Sequence, residues 1–305
     1  MNTLMELRKK RILIAGSNGK LGSSLAHYFA NNHEYETLCA GAEELPSVEG
    51  AQYEKIDITK RNNVKSLFHE FFPDAVINSA GFTNVDLCET SKEFSWSINV
   101  KGTENLAMLA WAIDAHMIHF SSDYIYDGKE GPYSEEDIPN PISYYGRTKL
   151  ASENSLRSSG ARFTIFRTNV LYGSVNRALP DFVKWVIESL RIGKEIRIVT
   201  DQINNPTYIG DLMSCVIKSV QNDIQGIYHI GGADLLSRME FARRIARYFK
   251  LDENLIIPVT TAELNQSAPR PLKSGLICKK AETDFNFKPK ALEEAFRLIE
   301  ENSTV

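Results

Sequence analysis

The stretch Arg11-Ile12-Leu13-Ile14-Ala15-Gly16-Ser17-Asn18-Gly19-Lys20-Leu21-Gly22 decides the fold of this chain. Its first five residues form an apolar run of strand length, and beyond Gly22 the apolar positions Leu25 and Phe29 recur with a helical period. The order is strand, glycine turn, helix. Gly16 permits a tight turn, Gly19 lets backbone approach a pyrophosphate at the helix start, and Gly22 lets helix and strand pack closely. Asn18, Lys20 and Leu21 share that turn and complete the expected dinucleotide cradle. The Gly-x-x-Gly-x-x-Gly spacing departs from the commoner dinucleotide pattern and points to a particular branch of such folds.

Working outward, strand-like runs recur at 37–40, 53–56, 75–78, 117–120 and 163–167, with helical stretches between them. Strict alternation predicts a parallel, doubly wound α/β sheet. After Asn169 the alternation loosens. LPDFVKWVIESLRIG, DLLSRMEFARRIARYFK and ALEEAFRLIEEN carry helical periodicity, and Pro258, Pro269, Pro271 and Pro289 punctuate extended pieces between them. These belong to a smaller α+β lobe.

Three side chains carry the chemistry. Ser122 follows an apolar run read as a buried strand, so its hydroxyl emerges at the strand's carboxyl end, where open α/β sheets bind ligands. Tyr145 and Lys149 are four apart and fall on one face of a helix, which brings the ammonium near the phenol. A neighbouring cation is expected to lower the phenol's pKa towards the range where it exchanges a proton with an alcohol or ketone. Asp123 and Tyr124 share the strand mouth and are candidates to touch sugar hydroxyls. Arg270 is the candidate for a phosphate, because a guanidinium binds two oxygens at once.

These signposts, from about Lys10 to near the C-terminus, resemble the extended short-chain dehydrogenase/reductase family, with its Rossmann sheet. The resemblance implies an NAD(P)H cofactor and assigns residues to it. Asp57 and Ile58 are the implied contacts for the adenine ring. Ser79, Ala80 and Gly81, with Thr83, would pass beside the ribose and nicotinamide, and Asn99 would support the catalytic Lys149 through an ordered water. Within the family the chain is similar to the dTDP-4-dehydrorhamnose reductase-like subgroup, through Phe82 to Glu89, SSDYIYDG with PYSEEDIPNPISYYGRTKLASE, Asp201 to Tyr208, Gly226 to Gly231 and Arg270 to Ser274. That similarity implies reduction of a nucleotide-linked 4-keto-6-deoxy sugar with Tyr145 as proton donor, and adds Val85, Asp86 and Asn169 to the substrate contacts. It also implies a sequence-discontinuous arrangement: a dinucleotide-binding domain over 1–169 and 207–231, and a substrate-binding lobe over 170–206 and 232–305.

Two departures keep a non-catalytic reading open, that of a regulatory subunit like the β subunit of methionine adenosyltransferase. The reductases commonly carry Trp where this chain has Val170, and an Arg where Gly275 follows Ser274. A nucleotide-sugar 4-epimerase would use the same Ser, Tyr and Lys. A 4,6-dehydratase is disfavoured, because such enzymes typically place Glu where this chain has Tyr124.

Composition sets outer bounds. A chain of 305 residues with 43% hydrophobic content can bury one large core and a smaller lobe. Net charge of -4 and a pI near 5.9 give no general attraction to nucleic acid or to an anionic membrane. No apolar run is long enough to span a bilayer, and MNTLMELRKK lacks a secretory apolar region, so a cytoplasmic location is expected. Cys39, Cys88, Cys215 and Cys278 show no metal or redox spacing, and no metal is expected. The sequence does not give the oligomeric state, and a homodimer is the candidate assembly. NAD and NADP are not separated: the second strand ends in Cys39-Ala40-Gly41, and Glu43 and Glu44 come slightly late for a ribose contact.

Overall fold

The computed structural model describes residues 8–173 and 181–303. Residues 1–7 of the N-terminal stretch, Leu179 and Pro180 of the first lobe helix, and the lobe limits within 174–180 and at 304–305 lie outside the described residues.

The first half alternates as its periodicity predicts: β1 (Lys10–Ala15), α1 (Lys20–Ala30), β2 (Tyr35–Gly41), β3 (Tyr53–Lys55), α2 (Arg61–Phe71) and β4 (Ala75–Asn78). Then come α3 (Val85–Thr90), α4 (Lys92–Trp96), a π-helical turn (Ser97–Gly102), α5 (Thr103–Ala112) and β5 (His116–Ser122). A 3-10 turn (Asp123–Ile125) leads to α6 (Tyr144–Ser158) and β6 (Phe163–Thr168). Beyond these lie β7 (Leu171–Tyr172), α7 (Phe182–Arg191), β8 (Ile196–Val199), β9 (Ile203–Asn204), β10 (Thr207–Tyr208), α8 (Ile209–Asn222) and β11 (Gly226–Ile230). The chain finishes with β12 (Leu236–Ser237), α9 (Arg238–Tyr248), β13 (Ile256–Val259), α10 (Thr261–Leu264), α11 (Lys279–Phe285) and α12 (Leu292–Ser303).

Seven strands form one sheet in the order β11-β6-β5-β4-β1-β2-β3, and every pairing in it is parallel. The strand order reverses between β1 and β4, which opens a crevice at their carboxyl ends. Residues Ile12 to Ala15 of β1 are buried throughout, the continuous apolar run of a strand covered on both faces. Their alternation still shows. Ile12 and Ile14 join the core packed with Phe29 of α1 and Leu212 of α8, whereas Leu13 and Ala15 join Leu67 of α2 and Leu106 of α5.

Two strand ends differ from the sequence reading. β3 stops at Lys55: the Ile56 amide makes the last ladder bond, to the Gly41 carbonyl (2.6 Å), and Asp57 then turns the chain by accepting from the Thr59 amide (2.9 Å). β5 runs on past Phe120 to Ser122, since the pairing with β6 continues to Ser122 and Thr168. A third core, with Tyr172, Val183, Phe241 and Phe296, joins α7, α9 and α12 to β8, and three two-stranded ladders (β7 with β10, β9 with β12, β8 with β13) accompany it.

Candidate active site

The glycine turn meets the crevice with its backbone bare. Gly16 has φ of 76°, and a Cβ there would strike the Ala80 backbone; one on Gly22 would strike the Gly16 carbonyl. Those two glycines serve close packing. Gly19 is different: its nearest neighbour would be the Gly16 carbonyl oxygen at 3.3 Å, so its missing side chain leaves space open. Gly81 is similar, with only the Asn99 carboxamide oxygen at 3.4 Å and a Thr83 methyl at 4.0 Å. Gly19 is also the N-cap of α1 and supplies no side chain to the first-turn amides. An open backbone surface at a helix N-terminus that no side chain caps fits a dinucleotide pyrophosphate. The side chain of Asn18 turns away, donating to Glu43 Oε2 (3.1 Å) and to the Leu45 carbonyl (2.9 Å) and accepting from the Ser47 amide (2.8 Å). It fastens the segment after β2 beside the turn.

At the mouth of β5 the structure sets Tyr145 beside Ser122, and Lys149 is buried one turn further along α6. Ser143 caps α6 by accepting from the Gly146 amide at 3.1 Å. Gly146 allows the close approach that follows, because a Cβ there would collide with the Tyr124 carbonyl. The helix therefore lies directly on the 3-10 turn, with Tyr145 edge-on to Tyr124 (centroids 5.6 Å apart) and near the Ser122 hydroxyl, which favours its phenolate. Ser122 also donates to Asp123 Oδ1 at 2.9 Å, and Ser274 donates to Asp123 Oδ2 at 2.6 Å.

The electrostatics differ from the sequence expectation. Burial, then the Asp123 carboxylate, push the Tyr145 phenol well above its ordinary pKa, and Lys149 does not pull it below. Burial lowers Lys149 to about 8, with Glu153 one helical turn away raising it. Burial raises Asp123 to about 6 despite its two serine donors. The phenol therefore holds its proton at neutral pH.

Asn99 lies in the π-helical turn, and its side chain bonds the segment after β4 and Thr148, the residue before Lys149. Its oxygen accepts from the Phe82 amide (2.7 Å), while its nitrogen donates to the Phe82 carbonyl (3.1 Å) and to Thr148 (2.9 Å). It ties the segment after β4 to α6. Asp57 is exposed beyond β3, and Ile58 is buried beneath Gly102. Ser79 donates to the Ala15 and Gly16 carbonyls (2.8 and 3.1 Å).

Among the substrate candidates, Asp86 and Arg270 meet each other at 2.7 Å, and Asp86 also accepts from the Ala268 amide at 3.0 Å. Arg270 is thus matched by a carboxylate. That pair flanks Tyr124, whose phenol carries the field of both. Val85 opens α3 after the Asn84 cap. Asn169 is buried and committed to Asn205 (2.9 Å) and Thr207 (3.2 Å). Val170 has φ of 25°, in the region that favours glycine, and Gly275 faces Leu235, which fills the space where a side chain would start.

Sequence reasoning missed three groups here. Arg167 and Glu153 form a bidentate buried pair (3.0 and 2.7 Å) behind Lys149, invisible because the partners come from different elements. His119 bridges Asn78 (3.2 Å) and Ser152 (3.0 Å) and is held neutral by burial. Arg238, at the start of α9, stands near Asp123 and Tyr124 with its Nη1 buried and unpartnered among the described residues. Only a helix start signalled by Ser237 hinted at that position.

Known proteins share this architecture. The chain is 34% identical over 301 residues to a dTDP-4-dehydrorhamnose reductase of Aggregatibacter actinomycetemcomitans, covering 95% of this chain and 98% of that one. It is 30% identical over 279 residues to the methionine adenosyltransferase 2 subunit beta of Xenopus tropicalis, covering 90% of this chain and 82% of that one. The crystal structure of a dTDP-4-dehydrorhamnose reductase from Bacillus anthracis in complex with NADP superposes with a TM-score of 0.87 at 30% identity, covering 96% and 99% of the two chains. The model of the RmlD substrate binding domain matches residues 10–304. A sheet with its switch point at a bare glycine turn, Ser122 and Tyr145 at the next strand mouth and a match over nearly every residue agree: the chain belongs to the RmlD substrate binding domain family, within the extended short-chain dehydrogenases/reductases.

Proposed function

We propose that this protein is an NAD(P)H-dependent reductase of a nucleotide-linked 4-keto-6-deoxy sugar, of the dTDP-4-dehydrorhamnose reductase type. The observation that carries it is Tyr145 beside Ser122 at the mouth of β5, with Lys149 one turn along α6, together with backbone left open at Gly19 of the β1–α1 turn and at Gly81 after β4. In this reading Gly16, Asn18, Gly19, Lys20, Leu21 and Gly22 line the pyrophosphate. Asp57 and Ile58 flank the adenine, and Ser79, Ala80, Gly81 and Thr83 flank the ribose and nicotinamide. The bound reduced nicotinamide supplies the hydride. Tyr145, kept protonated by burial, gives its proton to the carbonyl oxygen as negative charge develops there. Ser122 turns its one proton from Asp123 Oδ1 to the same oxygen. Lys149 bonds the ribose, and its charge stabilises the phenolate that proton transfer leaves behind. Asn99 keeps α6 in register with the segment after β4.

The dinucleotide is assigned to 1–169 and 207–231, and the sugar nucleotide to 170–206 and 232–305, with Val85, Asp86, Asp123, Tyr124, Asn169 and Arg270 around it. A homodimer is in keeping with Phe94, Trp96, Met108 and Trp111, left exposed on α4 and α5, and sedimentation tests it. Four buried, unpaired cysteines support a cytoplasmic location. Among the described residues no helix is long and apolar enough to cross a membrane.

Single-turnover oxidation of NADH and NADPH across a panel of nucleotide-linked keto sugars tests the reading. Oxidation with a dTDP-linked 4-keto sugar and a stable reduced product is expected. Interconversion of 4-hydroxyl epimers without net cofactor oxidation would make it an epimerase. No oxidation with any sugar, together with capture of another enzyme whose kinetics then change, would make it a regulatory subunit.

A further inference from the structure

We propose that Arg238 is the cationic anchor for the diphosphate of the nucleotide sugar. The inference rests on the reductase reading and names a residue for its second ligand. Hydrogen bonds run from the catalytic cluster to this arginine. Ser274 donates its hydroxyl to Asp123 at 2.6 Å and its amide to the Ile203 carbonyl at 2.9 Å; Ile203 pairs with Ser237, and the Arg238 amide donates to Gln202 at 2.9 Å. The guanidinium lies over the Phe182 ring, 4.5 Å from its centroid, which fixes the plane of the fork.

Among the described residues, Arg270 and Asp123 are already matched and Arg238 is not. Arg270 has Asp86, and Asp123 has two hydroxyl donors, whereas Arg238 forms no ion pair among the described residues and its Nη1 is a buried donor without an acceptor. Its charge nevertheless reaches Asp123, Tyr124 and Arg270. Burying a guanidinium donor unpaired is costly, and an incoming anion removes that cost. The planar fork matches two phosphate oxygens. The dinucleotide's own pyrophosphate is not the candidate, because its cradle lies at the start of α1 on β1, whereas α9 packs against α7 and β8. The anion that reaches Arg238 while a sugar ring sits at Tyr145 is the diphosphate joining that sugar to its nucleoside.

The test is calorimetric binding of dTDP, UDP, GDP and thymidine to the full chain and to Arg238→Met and Arg238→Lys, with NADPH affinity and thermal unfolding measured on each. Arg238→Met is expected to weaken the preferred nucleoside diphosphate by on the order of tenfold to a hundredfold, the scale of a lost charge-assisted pair, while thymidine and NADPH are unchanged. Arg238→Lys, which keeps the charge without the fork, should fall between, and it decides the matter if the Met variant does not fold. Unchanged diphosphate affinity in a folded variant overturns the role of Arg238 and leaves the reductase reading standing. A parent chain that binds no nucleoside diphosphate overturns both.

Discussion

One phenol and one carboxyl at the mouth of β5 set the chemistry's dependence on pH. Tyr145 holds its proton because burial and Asp123 disfavour the phenolate, which suits the general-acid role that the proposed reduction gives it. Tyr145→Phe is expected to bind NADPH as the parent does and to turn over slower by a factor of about 100 or more, read from kcat beside a direct binding titration. Asp123 gives a stability signal. Burial raises its pKa from 3.8 to about 6, so the unfolded chain ionises first and stability is lost as pH rises between those values. Asp123→Asn removes that titration. The stability difference between parent and variant should shift in the variant's favour by up to about 3 kcal/mol from pH 4 to pH 7, about two pKa units' worth, in urea unfolding at both pH values. A constant difference would place the carboxyl in a far more polar setting than its burial indicates.

At the scale of elements, the β1–α1 turn divides its glycines between two tasks. Gly22→Ala places a methyl on the Gly16 carbonyl and should cost about 1–3 kcal/mol of stability, seen as a lower unfolding midpoint. Gly19→Val meets little of the protein itself, so it should fold and lose NADPH binding. Both variants losing stability alike would put the two glycines in one structural role. Helix α6 is locked to β6 by the buried Glu153–Arg167 pair. Glu153→Gln leaves the guanidinium charge uncompensated in the interior and is expected to destabilise by about 3–5 kcal/mol, measured by denaturant midpoint with an unchanged m-value.

Across the whole molecule, the third core stands apart from the sheet and is tied together by Phe296 of α12, which packs on Phe241 and Tyr172. Phe296→Ala should cost about 3–5 kcal/mol. It should also weaken dTDP binding more than NADPH binding, because α9 and Arg238 stand on that core whereas the glycine turn stands on the sheet. Equal losses for both ligands would mean that the two parts respond as one.

The sequence alone determined the elements and the chemistry carried by short spacing. An apolar run ending in Gly16 fixes a buried strand and its turn, alternation fixes a parallel sheet, and the four-residue step from Tyr145 to Lys149 fixes a shared helix face. Strand ends were less legible at Ile56 and Ser122, because cross-strand hydrogen bonds set them rather than propensity. Only the tertiary structure decided the charge states and the pairings. Lys149 was legible as Tyr145's neighbour, but burial and Asp123 outweigh it at the phenol, and burial is a property of everything packed around it. Spacing left Arg270 between a phosphate ligand and a salt bridge, and Asp86, 184 positions away, holds it in one, while Arg238 carried no motif and gained its meaning from having no ion-pair partner among the described residues. Spacing reports what is close along the chain, and the energy of a buried charge depends on what is close in space.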